Sequence, residues 1–153
     1  MKVRVLSREA AERYEPRGVE ICISITAPGA PDARLSPKFA AVLRLQFSDV
    51  LTAGGPDDVL FGPDHAQRIV DFVSQWREAE RIVVHCAGGA SRSPGVALGL
   101  CDLHGWPTAA IERAKPLWNS LVRSVLAAQR GVPATPIDGP NLKGREADSS
   151  PAS

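Results

Sequence analysis

Residues 81–94, RIVVHCAGGASRSP, constrain this chain more than any other segment. Ile82, Val83 and Val84 form a short continuous apolar run, the pattern of a central parallel strand buried on both faces. The run ends at His85 and Cys86, and five small residues follow before Arg92, Ser93 and Pro94. Proline suits the first turn of a helix, where its missing N–H would have had no partner. Val96, Ala97, Leu100, Cys101 and His104 recur at helical spacing, and Gly105 is a C-terminal stop signal. The segment reads as strand, tight loop, helix.

That arrangement carries chemistry. A loop feeding a helix N-terminus points unpaired N–H groups inward, and the helix dipole adds partial positive charge, so an anion binds there. Small residues let the backbone of Ala87, Gly88, Gly89, Ala90 and Ser91 curl into a nest of donors. Arg92 adds a planar fork that grips two oxygens of an oxyanion, which lysine cannot do. Cys86 shares the focus, and a thiol there is expected to have a lowered pKa and to exist largely as thiolate. The Ser93 hydroxyl can donate to that sulfur. Together these are a nucleophile aimed at the phosphorus of a bound phosphate. The competing reading, a buried cysteine that only fills space, leaves Arg92 without a role.

His85-Cys86, five residues, then Arg92-Ser93 resembles the signature of the cysteine-dependent protein tyrosine phosphatase superfamily, and the Ser-Arg-Ser-Pro end resembles its dual-specificity branch. The resemblance covers roughly residues 40–125. It implies a phosphomonoester hydrolase of the tyrosine or dual-specificity type, acting through a phosphocysteine on a phosphorylated protein or a small phosphate ester. It implies no metal and no cofactor. Cys86, Arg92, Ser93 and a general acid would be catalytic, the backbone of residues 87–92 would hold phosphate, and His85 would support the loop and tune the thiolate. The acid is an aspartate on an upstream loop. Asp49 fits that position, because Leu43, Leu45 and Phe47 alternate with polar residues as a strand does and Asp49 follows at the strand end. Asp57 and Asp58, on the glycine-containing loop beyond, are competitors, and Asp49 as a simple turn residue is another reading.

Two other function classes fit parts of the motif. A rhodanese-like sulfurtransferase also places a cysteine in an anion-binding loop, but the spacing from Cys86 to Arg92 favours phosphate. A catalytically inactive phosphate-binding module would not need Cys86, Arg92 and Ser93 together. Gly88-Gly89 is not a nucleotide P-loop, since no Gly-Lys-Ser/Thr follows, and Ser91 lacks the second glycine of a hydrolase elbow. Cys22 and Cys101 read as small core residues, and His65 and His104 lack metal-ligand spacing.

The remaining elements make an α/β domain with a mostly parallel central sheet flanked by helices. Residues 2–6 and 20–25 read as strands, Ser7 as the cap of a helix reaching about Tyr14, and residues 27–38 as a proline-containing surface loop. The strand at 42–47 precedes a second loop at 48–62. Ile69, Phe72, Val73 and Trp76 mark an amphipathic helix from Pro63, Thr108 caps a helix through Lys115, and Trp118, Leu121, Val122 and Val125 line a last helix. A single phosphatase-like domain over 1–130 is expected, then a flexible tail over 131–153, rich in proline, glycine and serine. The formal charge of +1 offers no basic field for nucleic acid or a membrane surface. No apolar run is long enough to span a bilayer. Three cysteines, an odd number, and an N-terminus unlike a signal peptide point to a reducing, cytoplasmic setting. The loop side chains carry no positive charge, which mildly favours phosphoprotein or a small ester over a polyanionic lipid headgroup.

Overall fold

A computed structural model describes residues 2–131 of the chain; of the expected tail only Gly131, in a terminal 3-10 turn, falls within them. Four strands, β1 (Lys2–Ser7), β2 (Glu20–Thr26), β3 (Ala41–Gln46) and β4 (Arg81–Cys86), form one sheet in the order β1-β4-β2-β3 with every pairing parallel. Five helices complete it: α1 (Arg8–Arg13), α2 (Pro63–Gln75), α3 (Arg92–His104), α4 (Ala109–Ala114) and α5 (Ser120–Ala127). Parallel strands need crossovers, and those crossovers cover both faces, so the central strands are buried on both sides. The apolar run of β4 accordingly has Ile82, Val83 and Val84 fully buried, and β2 has no exposed residue.

Strand alternation divides the core. On one face Ile21, Ile23, Ile25, Ile82 and Val84 meet Ile69 and Val73 of α2, Val96 and Leu100 of α3, and Val122 and Leu126 of α5. On the other, Cys22 and Val83 pack with Phe39, Leu6 and Tyr14 beneath α1 and the loop after β2. Cys22 and Cys101 are both buried. Helices α3 and α5 touch closely because Gly95 and Gly99 face α5. A Cβ on Gly99 would stand 2.8 Å from Leu126 Cβ, and one on Gly95 would stand 2.8 Å from the Asn119 carbonyl oxygen.

Local signals set most helix ends. The Ser7 hydroxyl accepts the Ala10 N–H at 3.1 Å and starts α1. Helix α3 begins at Arg92, with Pro94 inside its first turn, where amides lack intrahelical partners. It ends at Gly105, whose φ of 73° suits glycine. Thr108 occupies the cap position of α4, but its hydroxyl donates to Glu112 at 3.1 Å rather than capping the backbone. The last helix starts later than the periodicity suggests. Trp118 lies outside it, because the Asn119 side chain accepts the Val122 N–H at 3.1 Å and sets the boundary. The Trp118 ring instead lies 5.2 Å from the Arg123 guanidinium.

The loop between β3 and α2 is closed at its base. Ser48 N–H donates to the Val59 carbonyl at 2.8 Å, and Val59 N–H donates to Ser48 Oγ at 2.9 Å. Phe47 and Phe61 meet edge to face at 4.9 Å. These contacts hold the residue that follows Ser48, Asp49, close to the end of the sheet. No helix among the described residues is long and apolar enough to cross a membrane.

Candidate active site

Strand β4 delivers Cys86 to the carboxyl end of the sheet, and α3 leads away from the same point, so residues 87–91 must reverse the chain tightly. Gly89 makes the reversal with a φ of 71°, a region other residues occupy at a cost. A side chain would also have no room there, since a Cβ would lie 2.7 Å from Ser7 N and 2.8 Å from the Leu6 carbonyl carbon. The Arg8 N–H donates to the Ala87 carbonyl at 3.1 Å. The junction of β1 and α1 thus buttresses the loop from behind. Gly88 has no neighbour within 4 Å of where its Cβ would be.

The thiol of Cys86 sits inside this curl, 2% exposed. Gly89 N–H donates to Sγ at 3.3 Å, and Ser93 Oγ lies 3.1 Å from Sγ. Burial works to raise the thiol pKa. The Ser93 hydroxyl and amide, the Gly89 amide and the Arg92 guanidinium outweigh it and hold the pKa below the ordinary value. The other two cysteines show what burial does without donors. Cys22 is pushed up to about 12 by desolvation, and Cys101 is also raised by burial, with Asp102 adding to it.

Arg92, 8% exposed, donates from Nη1 to the Phe47 carbonyl at 3.1 Å. Its Nε has no hydrogen-bond partner, the one buried side-chain polar atom so placed among the described residues. Leaving a buried donor unpaired costs roughly 1–3 kcal/mol and more for a charged group, so Arg92 Nε is a donor that an oxyanion on the loop can satisfy.

His85 is fully buried. Its Nδ1 lies 3.3 Å from the Cys86 carbonyl and its Nε2 lies 2.6 Å from Ser24 Oγ. A carbonyl only accepts, so Nδ1 carries the proton and Nε2 accepts from the Ser24 hydroxyl. Desolvation lowers the ring's pKa despite that carbonyl, which favours the neutral imidazole. It braces the peptide beside the thiol and has no contact suited to proton transfer at a substrate.

Asp49 is brought to the loop. Its Oδ1 accepts from Ser91 Oγ at 2.7 Å and from Asn119 Nδ2 at 3.0 Å, while the residue stays exposed. Its competitors stand differently. Asp58 accepts Gly54 N–H at 2.8 Å and serves its own loop. Asp57 is exposed on that loop. Two site residues escape a reading of the sequence. Ser24 gives no signal beyond its place in a strand. Asn119, 3% exposed, announces itself only as a helix cap. Its amide also donates to Asp49 and to the Val50 carbonyl at 3.3 Å, and its backbone N–H donates to the Ser91 carbonyl at 2.9 Å.

The fold has solved counterparts. Human DUSP28 superimposes with a TM-score of 0.59 at 20% identity, over 84% of this chain and 93% of that one. Tk-PTP in its active form gives 0.56 at 17% identity, over 85% and 92%. Human tyrosine phosphatase-like serine/threonine/tyrosine-interacting protein gives 0.50 at 15% identity, over 72% and 76%. No family model matches the sequence, and no curated protein matches it. At these identities the likeness is one of fold, and the fold is that of the dual-specificity and tyrosine phosphatase-like structures.

Proposed function

We propose that this chain is a cysteine-dependent phosphomonoester hydrolase of the dual-specificity type, with Cys86 as nucleophile. The observation that carries the reading is the pairing of a buried thiol that already receives the Gly89 amide and lies against the Ser93 hydroxyl with a buried guanidinium whose Nε has no acceptor. A phosphate dianion seated on the loop supplies that acceptor and sets phosphorus before the sulfur.

In the first step Cys86 Sγ⁻ attacks phosphorus in line, the bond from phosphorus to the ester oxygen breaks, and that oxygen takes a proton from Asp49. The amides of Ala87, Gly88, Gly89, Ala90, Ser91 and Arg92, with the Arg92 fork, hold the equatorial oxygens. In the second step water attacks the phosphocysteine, Asp49 carboxylate takes the water proton, and the thiolate leaves with release of inorganic phosphate. Ser93 supports the thiolate before its attack and again as it leaves in the second step, and His85 keeps the loop in shape. Phosphorylated proteins and small phosphate esters are the substrates this chemistry admits. A sulfurtransferase or an inert binding module has no use for a carboxylate held over the loop, and Asp49 is so held.

The test is turnover of an aryl phosphate by Cys86→Ser and Arg92→Lys proteins of verified fold, with a search for phosphocysteine in acid-quenched wild type. Loss of turnover in the first and a fall of about 10²–10³-fold in the second are expected. Substantial turnover by Cys86→Ser would end the cysteine mechanism.

A further inference from the structure

The amino ends of β1 and β4, opposite the catalytic loop, open into a cavity of about 970 Å³ lined by Lys2, Arg4, Tyr14, Arg17, Glu20 and Arg81 among others. That volume is at the upper end of small-molecule pockets. Register explains the cluster. Lys2 pairs with Arg81, which pairs with Glu20, so three charged residues form one row across the sheet. Arg4 lies two residues along β1 from Lys2, on the same face.

The floor of this cavity is built. Glu20 is 4% exposed. It accepts the Tyr14 hydroxyl at 2.5 Å and the Arg17 N–H at 3.1 Å, while Arg81 Nη1 donates to Tyr14 Oη at 2.8 Å. Burial opposes ionisation of Glu20, and these partners more than offset it, so the carboxyl sits below its ordinary value. Its charge is therefore consumed by the floor. Glu15, also at the rim, is matched from outside by Lys38 at 3.7 Å, and Arg13 is matched by Glu9 at 2.6 Å. Glu80 lies near Arg81 and offsets part of its charge. The side chains of Lys2, Arg4 and Arg17 meet no carboxylate among the described residues. A chain of net charge +1 thus concentrates uncompensated cations around one concave site.

We propose that this cavity is a second anion site, distinct from the catalytic loop, that takes a small oligophosphate. Arginine predominates over lysine around it, and the guanidinium fork matches phosphate oxygens in pairs. The cations are spread along two strands and a loop, wider than one phosphate group. The Tyr14 ring is already engaged, by Phe39 at 5.9 Å and by the Arg4 guanidinium at 5.7 Å, so recognition rests on the cations and not on stacking of a base. The phosphate chain is the part of the ligand that is recognised.

Inorganic pyrophosphate is the probe, titrated into ¹⁵N-labelled Cys86→Ser protein, which cannot turn it over. Two groups of amides are expected to shift: residues 87–93, and separately residues 2–4, 14, 15, 17–20 and 81. Arg4→Ser with Arg17→Ser should weaken the second group's response at least tenfold and leave the first unchanged. Arg34→Ser with Arg113→Ser, an equal charge change at exposed positions, should alter neither. A second group that does not titrate overturns the site. Equal weakening by both pairs of substitutions means diffuse surface attraction and overturns it as well. Failure of the hydrolase reading would show only at residues 87–93, so the two proposals stand or fall apart.

Discussion

Asn119 Nδ2 donates to Asp49 Oδ1 at 3.0 Å, joining residues 70 positions apart across the mouth of the catalytic loop. The same side chain caps α5 through its oxygen, so one residue fixes a helix end and a carboxylate together. Since Ser91 Oγ also donates to Oδ1, the second oxygen of Asp49 is the one that the proposed mechanism assigns to the leaving group.

The two functions of Asn119 are separable. Asn119→Ser keeps a capping oxygen and loses the donor to Asp49, so stability should change by less than about 1 kcal/mol. Turnover should fall several-fold, most for esters with poor leaving groups. Asn119→Ala should show the same kinetic loss and an added stability loss of about 1 kcal/mol from the missing cap. Denaturant midpoints and kcat for a series of phenyl phosphates measure the two effects, and unchanged kinetics in both variants would make Asn119 a cap alone.

Asp49→Asn, with Asp57→Asn and Asp58→Asn beside it, identifies the acid. Esters of acidic phenols need little protonation, so Asp49→Asn should spare them and slow alkyl esters by about 10²-fold or more, the usual range for general acid catalysis. The two loop variants should show no leaving-group dependence. Should Asp57→Asn show it instead, the acid belongs to the exposed loop.

The donors around Cys86 lower its pKa, so the thiolate appears at lower pH than for an ordinary thiol. Removing the Ser93 hydroxyl removes a stabiliser of the anion. The Ser93→Ala midpoint for alkylation by iodoacetamide must therefore move to higher pH, and reactivity below that midpoint must drop. Burial of the thiol is unchanged by this substitution, so a midpoint that stays in place would show that Ser93 does not touch the anion's energy.

Gly88 and Gly89 are adjacent and chemically identical, yet should respond very differently to alanine. Gly89→Ala meets a positive φ and the backbone of Ser7 and Leu6, and should cost about 2 kcal/mol or more in stability. It should also displace the amide that donates to Cys86 and raise the thiol pKa. Gly88→Ala meets nothing and should stay within about 0.5 kcal/mol of wild type. Thermal melts and alkylation profiles of the two proteins make the comparison.

Most of the secondary structure was legible along the chain, because its causes are local. The β4 run, the proline in the first turn of α3, the Ser7 cap and the Gly105 stop each act within a few residues of themselves. The late start of α5 shows the limit of periodicity, since Trp118 has the right spacing but Asn119 starts the helix through a single hydrogen bond from the Val122 N–H. Glycines show it again, because the need for Gly95 and Gly99 comes from a facing helix that a linear reading does not see.

The sequence by itself determined the grouping of Cys86, Arg92 and Ser93, because a strand, five small residues and a helix leave those side chains no other place to meet. The tertiary structure decided what surrounds them. It brought Asp49 to the loop and turned Asp58 away, set Ser24 against His85, gave Asn119 its second bond and left Arg92 Nε without an acceptor. The bonds of Asp49 to Ser91 and Asn119, and of Ser24 to His85, join partners separated by tens of residues and so depend on how the whole chain closes. Residue type decides which bonds such groups are able to make, and only the packing of the sheet and helices decides which groups come within reach.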